Sequence, residues 1–362
     1  MRVGVTLEQC WHRVPGGTAV AAVELTRALA ERGDVELVGV SAWHRRAPAA
    51  ECAPPISVRA LPLPRRALYE SWHRLRWPAV QRATGPVDVI HATGVVMPPH
   101  TAPIVLTVHD LAYMHDPSHF TRRGLRFFDH ALELARRDAD LVLCSSDATR
   151  RDCITAGLRP ERLRVVPLGV HARAATEDDI TRVRRHHGLG RYVLWVGTVE
   201  PRKNLPTLID AFRRLNRDEI DLVLVGPRGW NEDIGRHARG LDGRVHVLGF
   251  QPATDMGPLY AGADVFCFPS LREGFGLPVL EAMAQGTPVV TSSGTSTEEV
   301  AGEAGVLVDP RDPAALSMAI ARILDDGDLA AALRTAGRAR AAQYTWARTA
   351  AGTAAAYAEL AP

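Results

Sequence analysis

Short apolar runs alternate along the chain with longer stretches in which apolar positions recur every three or four residues. RVGVTL (2–7), VELVGVSA (35–42), VDVIHA (87–92), PIVLTVH (103–109), ADLVLCS (139–145) and LRVVPL (163–168) read as strands. They are apolar throughout rather than alternating, which fits parallel strands buried on both faces. Helical patterns lie between several of them, as in TAVAAVELTRALAERG (18–33) and DATRRDCITAGL (147–158), with Gly33 and Gly157 at the stops. The rhythm breaks at 170–191, a charged stretch with a short helical pattern and two glycines near its end. It then restarts with YVLWVG (192–197), IDLVLVG (220–226), RVHVLGF (244–250), ADVFCFPS (263–270), TPVVTS (287–292) and GVLVDP (305–310). Helices fit at 204–217, 255–262, 277–285 and 313–325, and an Ala-rich helical close runs from about 328 to 360.

Two successive βα series predict an α/β protein of two doubly wound, Rossmann-like domains. The expected division is 1–172, a linker at 173–190, 191–344, and a closing segment 345–362. Such sheets bind ligands beyond the carboxyl ends of their strands. With two domains face to face, the expected site is the cleft between them.

Composition narrows the functions available. The chain has 362 residues, 46% hydrophobic and 23% charged, the profile of a soluble protein with two cores. A net charge of +2 gives no global field for nucleic acid. Residues 1–172 hold 22 arginines against 17 acids, and the remainder 21 basic residues against 24 acids, so the first half is the more basic. Cysteines stand at 10, 52, 144, 153 and 267 with no paired spacing, and read as reduced, mostly buried thiols. MRVGVTLEQC starts a strand directly, and no run of about 18 apolar residues occurs. The expected place is the cytoplasm, or at most the inner face of a membrane. Of the 43 basic residues only Lys203 is a lysine.

Five stretches carry candidate chemistry. In REGFGLPVLEAMAQGTPVV (272–290), Gly274 and Gly276 flank Phe275, and Pro278 opens an apolar helix. A glycine-rich turn into a helix N-terminus suits a phosphate. Glu273 and Glu281, before the turn and in the expected first helical turn, suit hydroxyls on either side of it. In VGTVEPRKNLP, Gly197 ends a strand, and Arg202 and Lys203 lie in the loop beyond, where two cations suit a departing diphosphate. In VPGGTAV (14–20), Gly16 and Gly17 permit close backbone approach and Thr18 is placed to cap the helix. It is not a G-x-G-x-x-G fingerprint. In VHDLAYMHDPSHF (108–120), His109, Asp110, His115, Asp116 and His119 invite a metal reading, but their spacing matches no firm ligand pattern. His109, at the strand's end, is the better candidate, as a hydrogen-bonding residue at the reacting centre. In 59–82, Arg65, Arg66, Arg74, Arg76 and Arg82 interleave with Trp72 and Trp77. That pattern suits peripheral contact with an anionic membrane or a lipid-linked acceptor; a solvated helix with inward aromatics is the commoner structure for it.

EGFGLPVLEAMAQGTPVVTS resembles the signature of the retaining, nucleotide-sugar-dependent glycosyltransferases of the two-Rossmann GT-B type, the large fourth family. The likeness extends to PGGT, VTVHDLAYMHDP, VLCSSDATRRDCI, VVPLGV, VGTVEPRKNL, LVLVGPRGW, LGFQPATDMGPLYAGADVFCFPS and YTWARTA. It implies that 1–172 binds the acceptor and 191–344 the nucleotide sugar, that 345–362 is a last helix crossing back to the first domain, that Glu281 binds the donor ribose and that Glu273 contacts the donor sugar. The backbone at Phe275, Gly276 and Leu277 would hold phosphate or sugar, and Lys203 the diphosphate. His109 would stand beside the anomeric carbon, Gly16 and Gly17 would admit donor and acceptor, and the segment around Phe250 and Gln251 would frame the base. Many relatives carry Arg directly after the glycine matching Gly197. Here the residue is Thr198, with Arg202 before the lysine, as in a mannosyltransferase subgroup using GDP-mannose.

The expected function is therefore hexosyl transfer, as mannosyl from GDP-mannose, to a glycan, lipid-linked or small-molecule hydroxyl, with retention and with no metal or cofactor. A UDP-, ADP- or dTDP-sugar is the alternative donor. The rival functions are an epimerase or phosphorylase on the same frame, or a non-catalytic nucleotide-sugar-binding subunit.

Overall fold

The apolar runs become two parallel sheets, one in each of two units: Met1–Gly169 with Trp346–Pro362, and Val170–Thr345. The structure is a computed structural model and describes residues 1–12, 16–171, 173–227, 229, 234–241 and 243–360.

Unit 1 contains β1 (Arg2–Thr6), β2 (Glu36–Ser41), β3 (Val58–Ala60), β4 (Val89–Ala92), β5 (Ile104–Val108), β6 (Leu141–Cys144) and β7 (Leu163–Val165). They pair in the order β3-β2-β1-β4-β5-β6-β7, every pairing parallel. All residues of β4, β5 and β6 are buried, which is why these strands were written without polar alternation. β3 has no such signature: it is an edge strand of three residues with Arg59 and Ala60 exposed.

The first helix, Gly16–Arg32, begins two residues earlier than its pattern predicts. Gly16 and Gly17 therefore open the helix, and Thr18 is its third residue rather than its cap. Gly16 takes φ +61°, a conformation glycine adopts without strain. Val14 and Pro15 of the same loop lie outside the described residues. In the basic segment, helix Arg65–Arg74 turns Trp72 inward, its Nε1 donating to Pro78 O (2.9 Å). Arg76 is structural: its guanidinium reaches Met97 O (3.0 Å), Pro98 O (2.6 Å) and Asp138 (2.7 Å). Leu75 and Trp77 remain exposed, with Arg82 5.5 Å from the Trp77 ring.

The Ala-rich close is two helices, Gly327–Ala341 and Trp346–Ala358. The second packs on Gly16–Arg32, with Ala350 and Ala356 buried. Tyr357 anchors it to the sheet: its hydroxyl hydrogen-bonds His91 Nδ1 (2.6 Å), and His91 Nε2 hydrogen-bonds Thr107 Oγ1 (2.7 Å). Burial, then the nearby His109, push the His91 pKa down to about 3, so the ring is neutral and one nitrogen is free to accept.

Unit 2 contains β8 (Arg191–Val196), β9 (Ile220–Val225), β10 (Val245–Gly249), β11 (Val265–Phe268), β12 (Val289–Ser292) and β13 (Val306–Val308), in the order β10-β9-β8-β11-β12-β13. Segment 173–190 holds helix Glu177–His187, capped by Thr176 and stopped by Gly188 at φ +65°. It rests on helix Ala253–Ala261 through Arg182–Asp255 (2.9 Å) and Arg184 to Gly262 O (2.5 Å). No helix among the described residues is long and apolar enough to cross a membrane.

Candidate functional site

In each sheet the strand order reverses once, beside its first strand: between β1 and β4 in unit 1, and between β8 and β11 in unit 2. Such switch points open a crevice at the carboxyl ends of the strands. In unit 2 the loops flanking it are 197–204, after β8, and 269–276, after β11. The Leu271 N–H donates to Arg202 O (2.8 Å), joining them.

Three predicted residues meet here. Glu273 Oε1 accepts from Lys203 Nζ (2.5 Å) and Ser270 Oγ (2.6 Å), and Oε2 accepts from Arg202 Nη1 (2.9 Å). Arg202 Nε also pairs with Glu200 (2.6 Å). The side chains of Lys203 and Glu273 are each 8% exposed. Burial alone would raise the Glu273 pKa; the charges of Arg202 and Lys203 and the bonds from Lys203 and Ser270 reverse that and hold it at about 2. Lys203 is pulled down by burial and by Arg202, against the attraction of Glu273 and Glu200. With a carboxylate 2.5 Å from its ammonium, the pair is ionic at neutral pH.

Three protein donors engage the Glu273 carboxylate, leaving about one of its four acceptor positions for a hydroxyl. It fixes the two cations. Glu281 has the greater room for a hydroxyl, but it is the fifth residue of helix Leu277–Gln285, a full turn in rather than in the first turn. Its Oε2 accepts from Tyr260 OH (2.7 Å), and Oε1 takes no bond from the described residues. Burial raises its pKa and the Tyr260 bond opposes the rise.

Between these glutamates the chain turns into the helix through Gly276, at φ +111°. A Cβ there would come 2.9 Å from the Thr297 methyl, so both conformation and space call for glycine. The N–H groups of Phe275, Gly276 and Leu277 donate to no described residue, and no acid sits in the helix's first turn. Such a helix start suits an anion. The Phe275 ring is buried 5.8 Å from Tyr344, so only its backbone is available.

Several contributors carried no sequence signal. Ser270 orients Glu273 from the end of β11, and Ser296 Oγ donates to Glu273 O (2.8 Å). Asn204, at φ +58°, donates to Pro269 O (3.1 Å) and Pro310 O (2.6 Å), locking the residue after Lys203. Gly226, at φ +135°, lets β9 pass so close to β8 that a Cβ would stand 1.9 Å from Gly197 O. Thr198 lies against Gly229, not with the cations. Phe250, just past β10, is 68% exposed.

In unit 1, His109 follows β5, and its Nε2 donates to Thr93 O (3.2 Å). Burial lowers its pKa, against the Thr93 bond and Asp110, leaving a neutral ring whose Nδ1 accepts. Its carbonyl takes Ser145 and Thr149 hydroxyls, each at 3.2 Å. The other residues of the His/Asp loop disperse: His115 pairs with Asp152 (2.8 Å), and Asp116 lies 3.8 Å from His119. No group of three or more His, Cys, Asp or Glu placed to hold a metal occurs among the described residues.

Two family models match the chain: "Glycosyltransferase Family 4" over residues 15–174 and "Glycosyl transferases group 1" over 190–326. The chain is 34% identical to the O-antigen chain mannosyltransferase B of Escherichia coli, covering 71% of each chain. It is 31% identical to a D-inositol 3-phosphate glycosyltransferase of Acidothermus cellulolyticus, covering 93% of this chain and 84% of the relative. Its fold matches the Anabaena HepE protein crystallised with UDP and glucose, with a TM-score of 0.78 at 22% identity over 99% of this chain and 100% of that one.

Proposed function

The chain belongs to glycosyltransferase family 4, and from that premise we propose that it transfers a hexosyl group from a nucleotide diphosphate sugar to a hydroxyl, with retention. One observation carries the donor assignment: two cations pinned by a buried carboxylate stand in the loop after β8, and in the neighbouring loop after β11 three backbone N–H groups have no partner among the described residues. Lys203, Arg202 and the 275–277 amides take the diphosphate, Glu281 Oε1 a ribose hydroxyl, Phe250 and its backbone the base, and His109 Nδ1 a hydroxyl of the reacting sugar. Gly16 and Gly17 keep the start of the first helix open to donor and acceptor.

The bond from the anomeric carbon to the diphosphate oxygen breaks, and its electron pair leaves on the phosphate. Charge grows there, so fixed cations lower the barrier. The acceptor oxygen bonds to the anomeric carbon from the same face, and its proton passes to the leaving phosphate. Glu273 is not a nucleophile in this scheme, because its oxygens are engaged by Lys203, Arg202 and Ser270.

Mannose from GDP-mannose is the donor we favour, on the 34% identity to a mannosyltransferase. Exposed Leu75 and Trp77 beside Arg74 and Arg82 support peripheral contact with an anionic lipid surface. The deciding experiment is a thermal-shift panel of GDP-, UDP-, ADP- and dTDP-sugars, followed by transfer assays with and without chelator. A shift for one sugar nucleotide and chelator-insensitive turnover are expected. Strict dependence on a divalent ion overturns the metal-free scheme, and binding without turnover over a broad acceptor panel makes the chain a binding subunit.

A further inference from the structure

Tyr260 stands one residue from the end of helix Ala253–Ala261, which starts directly after Phe250, Gln251 and Pro252. We propose that Tyr260 is a positioning residue for the nucleotide sugar: its hydroxyl fixes one oxygen of Glu281 and so presents the other to a ribose hydroxyl. The inference rests on the donor reading above and adds to it the group that prepares Glu281 for its ligand.

The first support is the pair itself. Tyr260 is 2% exposed, and its hydroxyl donates to Glu281 Oε2 at 2.7 Å. Glu281 is half-buried, so a ligand can reach it, and no other described residue bonds its carboxyl. A buried phenol is costly without an acceptor, and Glu281 supplies one.

The second support is that the tyrosine is held from several sides. Its carbonyl accepts from Thr287 Oγ1 (2.6 Å), and its ring meets Phe266 edge-on with centroids 5.4 Å apart. The helix is tied near its start by Arg182 to Asp255 (2.9 Å) and near its end by the Tyr192 hydroxyl, which donates to Leu259 O (2.7 Å). A ring locked by packing directs the carboxylate that it bonds. The same helix follows the Phe250 segment assigned to the base, so base and ribose contacts refer to one rigid element.

The third support is the charge around Glu281. Arg334 and Arg338 of helix Gly327–Ala341 bond Gly286 O (3.1 Å) and Gln285 O (3.4 Å), at the other end of helix Leu277–Gln285. On helix Ser296–Ala301, Glu298 accepts the Gly294 N–H, and Glu299 is its other acid. Of the strands beneath, β11 brings Cys267, whose thiol burial keeps neutral, and β12 no titratable group. None of these bears on the Glu281 carboxyl: burial raises its pKa, and the Tyr260 bond alone holds it back. Burial and Glu281 push the Tyr260 pKa well up, so the phenol stays a donor. An ionised Glu281 accepts from ribose hydroxyls, whereas a protonated one turns an acceptor into a donor. In Tyr260→Phe burial acts unopposed, so Glu281 takes up its proton at a higher pH.

The test is calorimetric, on the full chain, with GDP, UDP and inorganic pyrophosphate from pH 6 to pH 8.5. The nucleoside diphosphate that binds the parent should bind Tyr260→Phe at least about fivefold more weakly at pH 6, and that loss should shrink about threefold or more by pH 8.5. Pyrophosphate has no ribose and should bind parent and variant alike at each pH, which also shows that the variant is folded. In a Glu281→Gln background, where the amide does not titrate, any loss from Tyr260→Phe should be the same at every pH. With the sugar nucleotide as substrate, KM should rise at pH 6 and kcat should hold, as for a contact made equally in ground and transition states. No loss in Tyr260→Phe, a loss equal at pH 6 and pH 8.5, or a loss shared by pyrophosphate overturns the inference and leaves the donor reading standing. Binding of neither GDP nor UDP by the parent overturns the donor reading and the inference with it.

Discussion

Lys203 is the only lysine in a chain with 43 basic residues, and its surroundings explain why arginine does not replace it. Its stem runs past Gly197, where a Cβ would come within 3.7 Å of Lys203 Cε, and its ammonium sits 5.1 Å from the Phe268 ring. A point charge on a slim stem fits that channel; a planar fork does not. Lys203→Ala should lower kcat by about 100-fold, equivalent to roughly 3 kcal/mol at the transition state, with donor binding measured beside it. Lys203→Arg should keep the charge yet lose much of that rate; a silent Lys203→Arg would remove shape from the explanation. Glu273 gives a second prediction. Its pKa is depressed to about 2 in the fold, so its contribution is complete above its unfolded value and fades as pH falls toward 2. Glu273→Gln should therefore lose about 3 kcal/mol at neutral pH, by stranding two buried cations, and show a flatter decline in Tm from pH 5 to pH 3 than the parent.

At the scale of elements, the strands and most helices were legible because each had a period or a run of its own. What escaped was set by neighbours. β3 has no apolar run because it lies at an edge. In the Ala-rich close the break before the last helix falls where Tyr344 O accepts the Val170 N–H (3.0 Å), a bond no local pattern announces. Gly226 looked like an ordinary strand end, yet it is the point where the β9 loop crosses the β8 loop. Gly226→Ala should cost about 3 kcal/mol or more through strain and overlap, and weaken donor binding as well, read by Tm and by nucleotide titration. Ala350, fully buried where the last helix meets the first, should tolerate no bulk: Ala350→Leu should lose about 1–3 kcal/mol by overpacking, measured by thermal unfolding.

For the whole molecule, ligand protection should be confined to one unit: the donor should slow amide exchange in the loops 197–204 and 269–277. A donor at about 100 times its Kd should stabilise its unit by roughly 2.7 kcal/mol. The sequence by itself determined the two βα series and the glycine turn at Gly276, and singled out Lys203, Arg202, Glu273, Glu281 and His109 as candidates. These follow from side-chain type and spacing, which act over one element and its loop. Only the tertiary structure decided what each residue faces. Sheet order places the loop after β8 against the loop after β11, 70 residues away, and so gives Glu273 to Lys203 rather than to solvent. It also gives one Glu281 oxygen to Tyr260 and the other to no described residue, and gathers Trp11, Arg45 and Arg46 around one pocket. Such pairings depend on through-space distance and the low dielectric of burial, and neither is written in the local order of residues.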